Sequence, residues 1–176
     1  MILRCTKKLL DVIRPKGWAP VIPPGKDDWY ADLLWYDKCK CLLLTHGETL
    51  FTSFEPDLNL AQLRATHRLA NTMIRRELAS AGLPAGTFAL DEPSDDDWDE
   101  RFVLTRTGQD DRDVVFRMRN MAAVCDRAVM QAGGLLWIDL PELNRQLRQN
   151  IPSARACQPP RAQELELDGD GNHRPF

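Results

Sequence analysis

Three places in this 176-residue chain hold residue types at spacings suited to chemistry. Cys39 and Cys41 lie two apart on a stretch that reads as strand, so both thiols project from one face, and His46 follows nearby. A structural zinc site would start this way. Zinc calls for four ligands in paired spacings, however, and no second pair lies elsewhere in the chain, so the cysteines read as buried or half-buried free thiols and no metal is expected. Arg4-Cys5-Thr6-Lys7-Lys8 sets a strand end directly before a helix N-terminus. There, free N–H groups with Arg4, Thr6 and Lys8 would suit a phosphate or carboxylate, and the Cys5 thiol would tend toward a lowered pKa. The competing reading gives Thr6 an ordinary capping role, since no Gly-rich loop lets a ligand approach the backbone. His46, Glu48 and Thr49, with Asp32 or Asp37, would supply an acid, a base and a hydroxyl, although turn-forming polar residues explain them equally well.

Binding rather than catalysis is suggested by how charge is distributed. Arg64, Arg68, Arg75 and Arg76 with His67, and separately Arg112, Arg117 and Arg119, give two helical stretches an arginine-rich side. The segment from Asp91 to Glu100 is dominated by carboxylates, among them Asp95, Asp96 and Asp97, and carries the isolated Trp98. An aromatic residue on a polar loop is a natural interface anchor, so Trp98 is the leading contact candidate. Asp168 to His173 resembles the start of a calcium loop but lacks the sixth-position glycine and the twelfth-position glutamate, so it reads as tail composition.

Composition narrows the classes. Lys and Arg total 23 against 26 Asp and Glu, giving a net charge of -3, so no strongly basic surface is present for bulk electrostatic binding of nucleic acid. The longest apolar runs, Leu42 to Leu44 and Gly133 to Ile138, fall far short of the roughly 20 residues of a membrane span. Charges threaded through the first ten residues do not form a signal peptide. Five scattered cysteines suit reduced thiols, and the expected location is cytoplasmic.

The elements that must position these residues follow from period and punctuation. Ile2 to Cys5 reads as a short strand and Lys7 to Ile13 as a helix capped by Thr6. Prolines and glycines then make a loop holding Trp18. Trp29 to Phe54 reads as a three-stranded antiparallel meander with turns at Asp37-Lys38 and Gly47-Glu48. Its middle strand is apolar on both faces, which asks for cover on both sides. Leu60, Leu63, His67, Ala70, Ile74 and Leu78 set an amphipathic helix over Leu58 to Leu83. Phe102 to Thr107 is a short strand that would pair with the N-terminal one. A second long helix starts at Asp113 and is stopped by Gly133-Gly134. Pro141 opens a final helix reaching about Asn150.

Four of these runs carry a resemblance: Leu3-Arg4-Cys5-Thr6-Lys7-Lys8-Leu9-Leu10, Asp28-Trp29-Tyr30-Ala31, Thr49-Leu50-Phe51, and Gly133-Gly134-Leu135 with Leu140-Pro141-Glu142-Leu143-Asn144. In that order they resemble a family of small bacterial proteins classed only as a domain of unknown function, over roughly Met1 to Pro152. The resemblance implies a bacterial origin and one compact domain, and it supplies no activity.

The expected fold is α+β: an antiparallel sheet, built from the central meander plus the short strands, packed by two long amphipathic helices. Residues 1–152 form one domain and 153–176 a flexible Pro-rich and acidic tail. The expected function is a non-enzymatic protein-binding or regulatory module, with no cofactor and no catalytic residue. Trp98, Asp95, Asp96, Asp97, Arg64, Arg68 and Arg75 are its contacts, and Arg4, Thr6 and Lys8 an anion site. The partner is another protein, not a membrane. One alternative is a small hydrolase or phosphate-handling enzyme using Arg4, Lys8, His46 and Glu48; the other is nucleic-acid binding through the Arg64 to Arg76 helix.

Overall fold

A computed structural model of the chain describes residues 1–14, 22–88 and 103–149. Its five strands are β1 (Ile2–Cys5), β2 (Trp29–Tyr36), β3 (Cys39–His46), β4 (Thr52–Leu58) and β5 (Val103–Arg106). They form one sheet in the order β4-β3-β2-β1-β5. The helices are α1 (Lys7–Ile13), α2 (Leu60–Arg64), α3 (Thr66–Ser80), α4 (Arg112–Ala132) and α5 (Leu140–Gln149).

The meander forms as its pattern dictates. Asp37 and Lys38 both take positive φ, 50° and 67°, the tight turn whose twist matches a hairpin, and β2 and β3 pair from Tyr36 opposite Cys39 to Trp29 opposite His46. At the second turn Gly47 is required by close approach. Its N–H donates to the Asp28 carbonyl at 2.8 Å, and a Cβ there would stand 3.0 Å from the Tyr30 ring.

The sheet is mixed, which corrects the expected antiparallel one. The strand near Phe102 does pair with the N-terminal strand, but β1 runs parallel to both of its neighbours, with Leu3 opposite Trp29 and Leu104. The physical reason is the length of chain between Cys5 and Trp29, which holds α1 on one face of the sheet and is long enough for the crossover that a parallel pair requires. Two further corrections concern helices. The single helix expected over Leu58 to Leu83 is a strand end followed by two helices. Asn59 opens α2 with a capping box in which it and Gln62 each accept the other's backbone N–H, and the chain breaks at Ala65 before α3. Nor do two long helices alone cover the sheet, since all five share the task.

Alternation along the strands sorts the core into two layers. On one face Leu3, Trp29, Ala31, Leu33, Leu42 and Leu44 pack with α1, α2 and α3. On the other, Tyr30, Leu34, Cys41, Leu43 and Phe54 pack with Met118, Met121, Cys125 and Val129 of α4 and Leu143 and Leu147 of α5. β3 is apolar on both sides because both sides are covered, and each of its buried leucines contributes about 1.5–3 kcal/mol relative to exposure.

Candidate functional site

The residues singled out for chemistry are mostly turned inward. Arg4 is fully buried on the α4 side of the sheet. Its Nε donates to Asp28 Oδ2 at 2.6 Å, while Nη1 and Nη2 donate to the carbonyls of Ile22 and Pro23 at 2.8 and 2.6 Å. Asp111, just ahead of α4, lies 3.7 Å from the same Nε and accepts the Tyr30 hydroxyl at 2.8 Å. Burial and that bond to a carboxylate hold the Tyr30 phenol above its ordinary pKa. Arg4 therefore ties the loop after α1, the start of β2 and the start of α4 to one point. Its guanidinium is committed to internal partners.

Thr6 occupies the N-cap position in extended conformation, but its hydroxyl donates to Asp32 Oδ1 at 2.6 Å instead of capping α1, contrary to expectation. Lys8, largely exposed, stands 4.0 Å from the other Asp32 oxygen. Arg4, Thr6 and Lys8 thus hold carboxylates of their own chain and do not converge on a common anion seat.

His46 lies on the opposite face from Arg4, because the register sets Leu3, Trp29 and His46 on one side and Arg4, Tyr30 and Thr45 on the other. The arrangement does not bring Arg4 and His46 to one pocket. The imidazole is buried among the rings of Trp29 and Phe88, with centroids at 5.1 and 4.6 Å. Its Nδ1 accepts the Thr49 N–H at 3.2 Å and pairs with the Thr49 hydroxyl at 3.0 Å. Burial lowers its pKa below 6.5, against the weaker pull of Asp27, Glu48 and Asp28. Glu48 is half exposed and meets Lys26 at 3.8 Å. Cys39 and Cys41 do share a face, but His46 closes the far end of β3 on the other one. Burial pushes the Cys5 thiol up to about 12, the reverse of an activated nucleophile.

The arginine side expected on one helix is divided. Arg64 and Arg68 are exposed, Arg75 is half-buried with its Nε on Asn71 Oδ1 at 3.3 Å, and Arg76 binds Glu55 and Glu77 at 2.7 and 3.0 Å. Trp98 and Asp95, Asp96 and Asp97, like Trp18 and the expected tail, lie outside the described residues.

What sequence reasoning missed is the outward side of α4. Phe116 is 62% exposed, Met130 80%, and in the turn that follows Leu136 and Trp137 are 83% and 77% exposed. Opposite the buried stripe, Phe116, Asn120, Ala123, Arg127 and Met130 recur at steps of four and three, and all five are exposed. That spacing, readable in the sequence, is the signal of a second helix face able to meet a partner. Beside it runs a groove of about 550 Å³ floored by Leu50, Met121 and Val124 and bounded by Phe116, Arg117 and Arg127. Gly133, at φ 80°, ends α4 with its N–H on the Met130 carbonyl, and Asp37 Oδ2 accepts the Leu135 N–H at 2.9 Å. These bonds fix the turn that presents Leu136 and Trp137.

The fold and this surface define an α+β domain with a two-faced mixed sheet and an exposed apolar helix side. The chain belongs to the family described as a domain of unknown function, DUF6933, which it matches over residues 2–162. No curated protein and no solved structure matches it. Among the described residues no helix is long and apolar enough to cross a membrane, and no group of three or more His, Cys, Asp or Glu is placed to hold a metal.

Proposed function

We propose that this chain is a non-enzymatic protein-binding module of a bacterial cytoplasm, and that its contact surface is the outward side of α4 with the turn carrying Leu136 and Trp137. The observation that carries this reading is the exposure of Phe116, Met130, Leu136 and Trp137 along one helix and its following turn, beside a groove. Large apolar side chains left exposed along one side of a helix and the turn that follows it mark an elongated contact surface, as in helix-to-helix recognition. Aromatic residues such as Phe116 and Trp137 are the side chains that dominate interface energetics. The inward use of Arg4, Thr6 and His46 supports binding over catalysis. The cytoplasmic setting draws on the scattered thiols, of which Cys5, Cys39, Cys41 and Cys125 are free.

The test is affinity capture with the tagged chain, quantified by mass spectrometry, against a Phe116→Ala/Trp137→Ala variant. Leu60→Ala, an exposed apolar side chain on α2, serves as control. The reading expects one protein retained by the wild type and control and lost at least tenfold by the double variant, with melting temperatures unchanged. Equal retention by all three would remove it.

A further inference from the structure

Resting on the α4 reading above, we infer that the partner is an acidic amphipathic segment of another protein, one that seats an apolar side chain in the α4 groove and sets carboxylates on Arg117 and Arg127.

The groove dictates the chemistry. Leu50, Met121, Val124 and Phe116 give it an apolar floor and wall, of a volume that accepts a large aliphatic or aromatic side chain. Arg117 and Arg127 flank that floor, ten positions apart on α4 and therefore about 15 Å apart along its axis. Neither guanidinium makes an ion pair or hydrogen bond among the described residues, and the same holds for the side chains of Arg112 and Arg119 on this helix. Asp113, near the first turn, is the groove's lone carboxylate, and Asp126 outside it already accepts the Tyr36 hydroxyl at 2.6 Å. The lining therefore carries two cations against one anion. Two guanidiniums at that separation suit carboxylates about ten residues, nearly three turns, apart on a helix or about four to five residues apart on an extended strand, with the apolar anchor between them.

Charge also decides against a second copy of this chain. Antiparallel pairing of α4 about Ala123 would set Phe116 of one copy against Met130 of the other, which is favourable. The same symmetry sets Arg119 against Arg127 twice, and parallel pairing sets Arg127 against Arg127. Like charges directly opposed across an interface are destabilising.

The experiment replaces Ala123, at the middle of the exposed row, with p-benzoylphenylalanine, irradiates cells producing the full chain, and sequences the crosslinked segment. That segment, made as a synthetic peptide, is then titrated against the wild type and against Arg117→Glu/Arg127→Glu. The expected result is a segment with net negative charge and apolar residues at helical spacing. Its affinity should fall at least tenfold in the charge-reversed variant and recover when the peptide's carboxylates are exchanged for lysine. Capture of a neutral or basic segment, or of an acidic one indifferent to the reversal, overturns the inference while leaving the α4 docking surface in place. Capture of a second copy overturns it as well. No protein adduct at position 123 brings down the α4 reading itself. Unchanged melting of the exposed double variant confirms that any loss reports binding and not unfolding.

Discussion

The Asn144 carboxamide stands in for a missing strand at Phe54, accepting the Phe54 N–H at 2.7 Å and donating to the Phe54 carbonyl at 3.1 Å. β4 is an edge of the sheet, and an edge with free N–H and C=O groups invites pairing with another chain. The same Nδ2 donates to Glu77 Oε1 at 3.1 Å, and Arg148 and Arg76 both bind Glu77. One side chain on α5 thereby ties the strand edge to α3 on the opposite face of the sheet.

Replacing Asn144 with alanine strands two buried backbone groups, each worth about 1–3 kcal/mol when left unpaired, so a loss of about 2–4 kcal/mol is expected. Urea unfolding followed by circular dichroism measures it. Concentration-dependent association should rise in the same variant as the β4 edge opens.

The buried Arg4–Asp28 pair predicts coupling. Arg4→Met leaves Asp28 and Asp111 without their cation and should cost about 3–5 kcal/mol. Asp28→Asn should cost less, because a neutral amide still accepts the Gly25 N–H. In the double variant the loss should fall short of the sum of the singles by about 1–3 kcal/mol, as it does for contacting residues. Strict additivity in urea titrations would show that the pair does not act as a unit.

His46 sets an acid limit. Its folded pKa lies below the unfolded value of 6.5, so below pH 6.5 the unfolded chain takes up a proton that the folded chain refuses. Its contribution is thus complete above pH 6.5 and is lost as the pH falls from there toward the folded pKa. Stability measured from pH 7.5 to 5 should decline, and His46→Asn, which cannot titrate, should flatten that slope.

Thiol reactivity offers a check on the core. Burial raises Cys5 and Cys125 to about 12 and Cys41 to about 11. Native protein treated with iodoacetamide at pH 8 should leave these three unlabelled, and denatured protein should label all five cysteines. Rapid native labelling of Cys5 would contradict the packing around it.

Much of the architecture is legible in the residues. The two-faced apolar run of β3, the Asp37-Lys38 turn and the Gly133 stop each carry a local signal strong enough to place an element. The direction of β1 carries none, since four residues have too little period to distinguish parallel from antiparallel pairing. Only the length of chain between Cys5 and Trp29 hints at a crossover. The helix break at Ala65 is hidden for a similar reason: Leu63 and Ala70 both keep an apolar face, and the Asn59 and Gln62 box that starts a separate short helix reads as ordinary surface. The site was less legible. Arg4, Asp28 and Asp111 are far apart in sequence, and nothing local says that they meet in the interior. The row from Phe116 to Met130 was masked by the stronger stripe of Met118, Met121, Cys125 and Val129 on the same helix.

The most direct test of the α4 surface is amide hydrogen exchange of the chain alone and in complex with the captured partner. Protection that rises over residues 112–137 and stays constant over 60–80 is the predicted result. Protection confined to α2 and α3, with exchange along α4 and the Leu136–Trp137 turn unaltered, would contradict it.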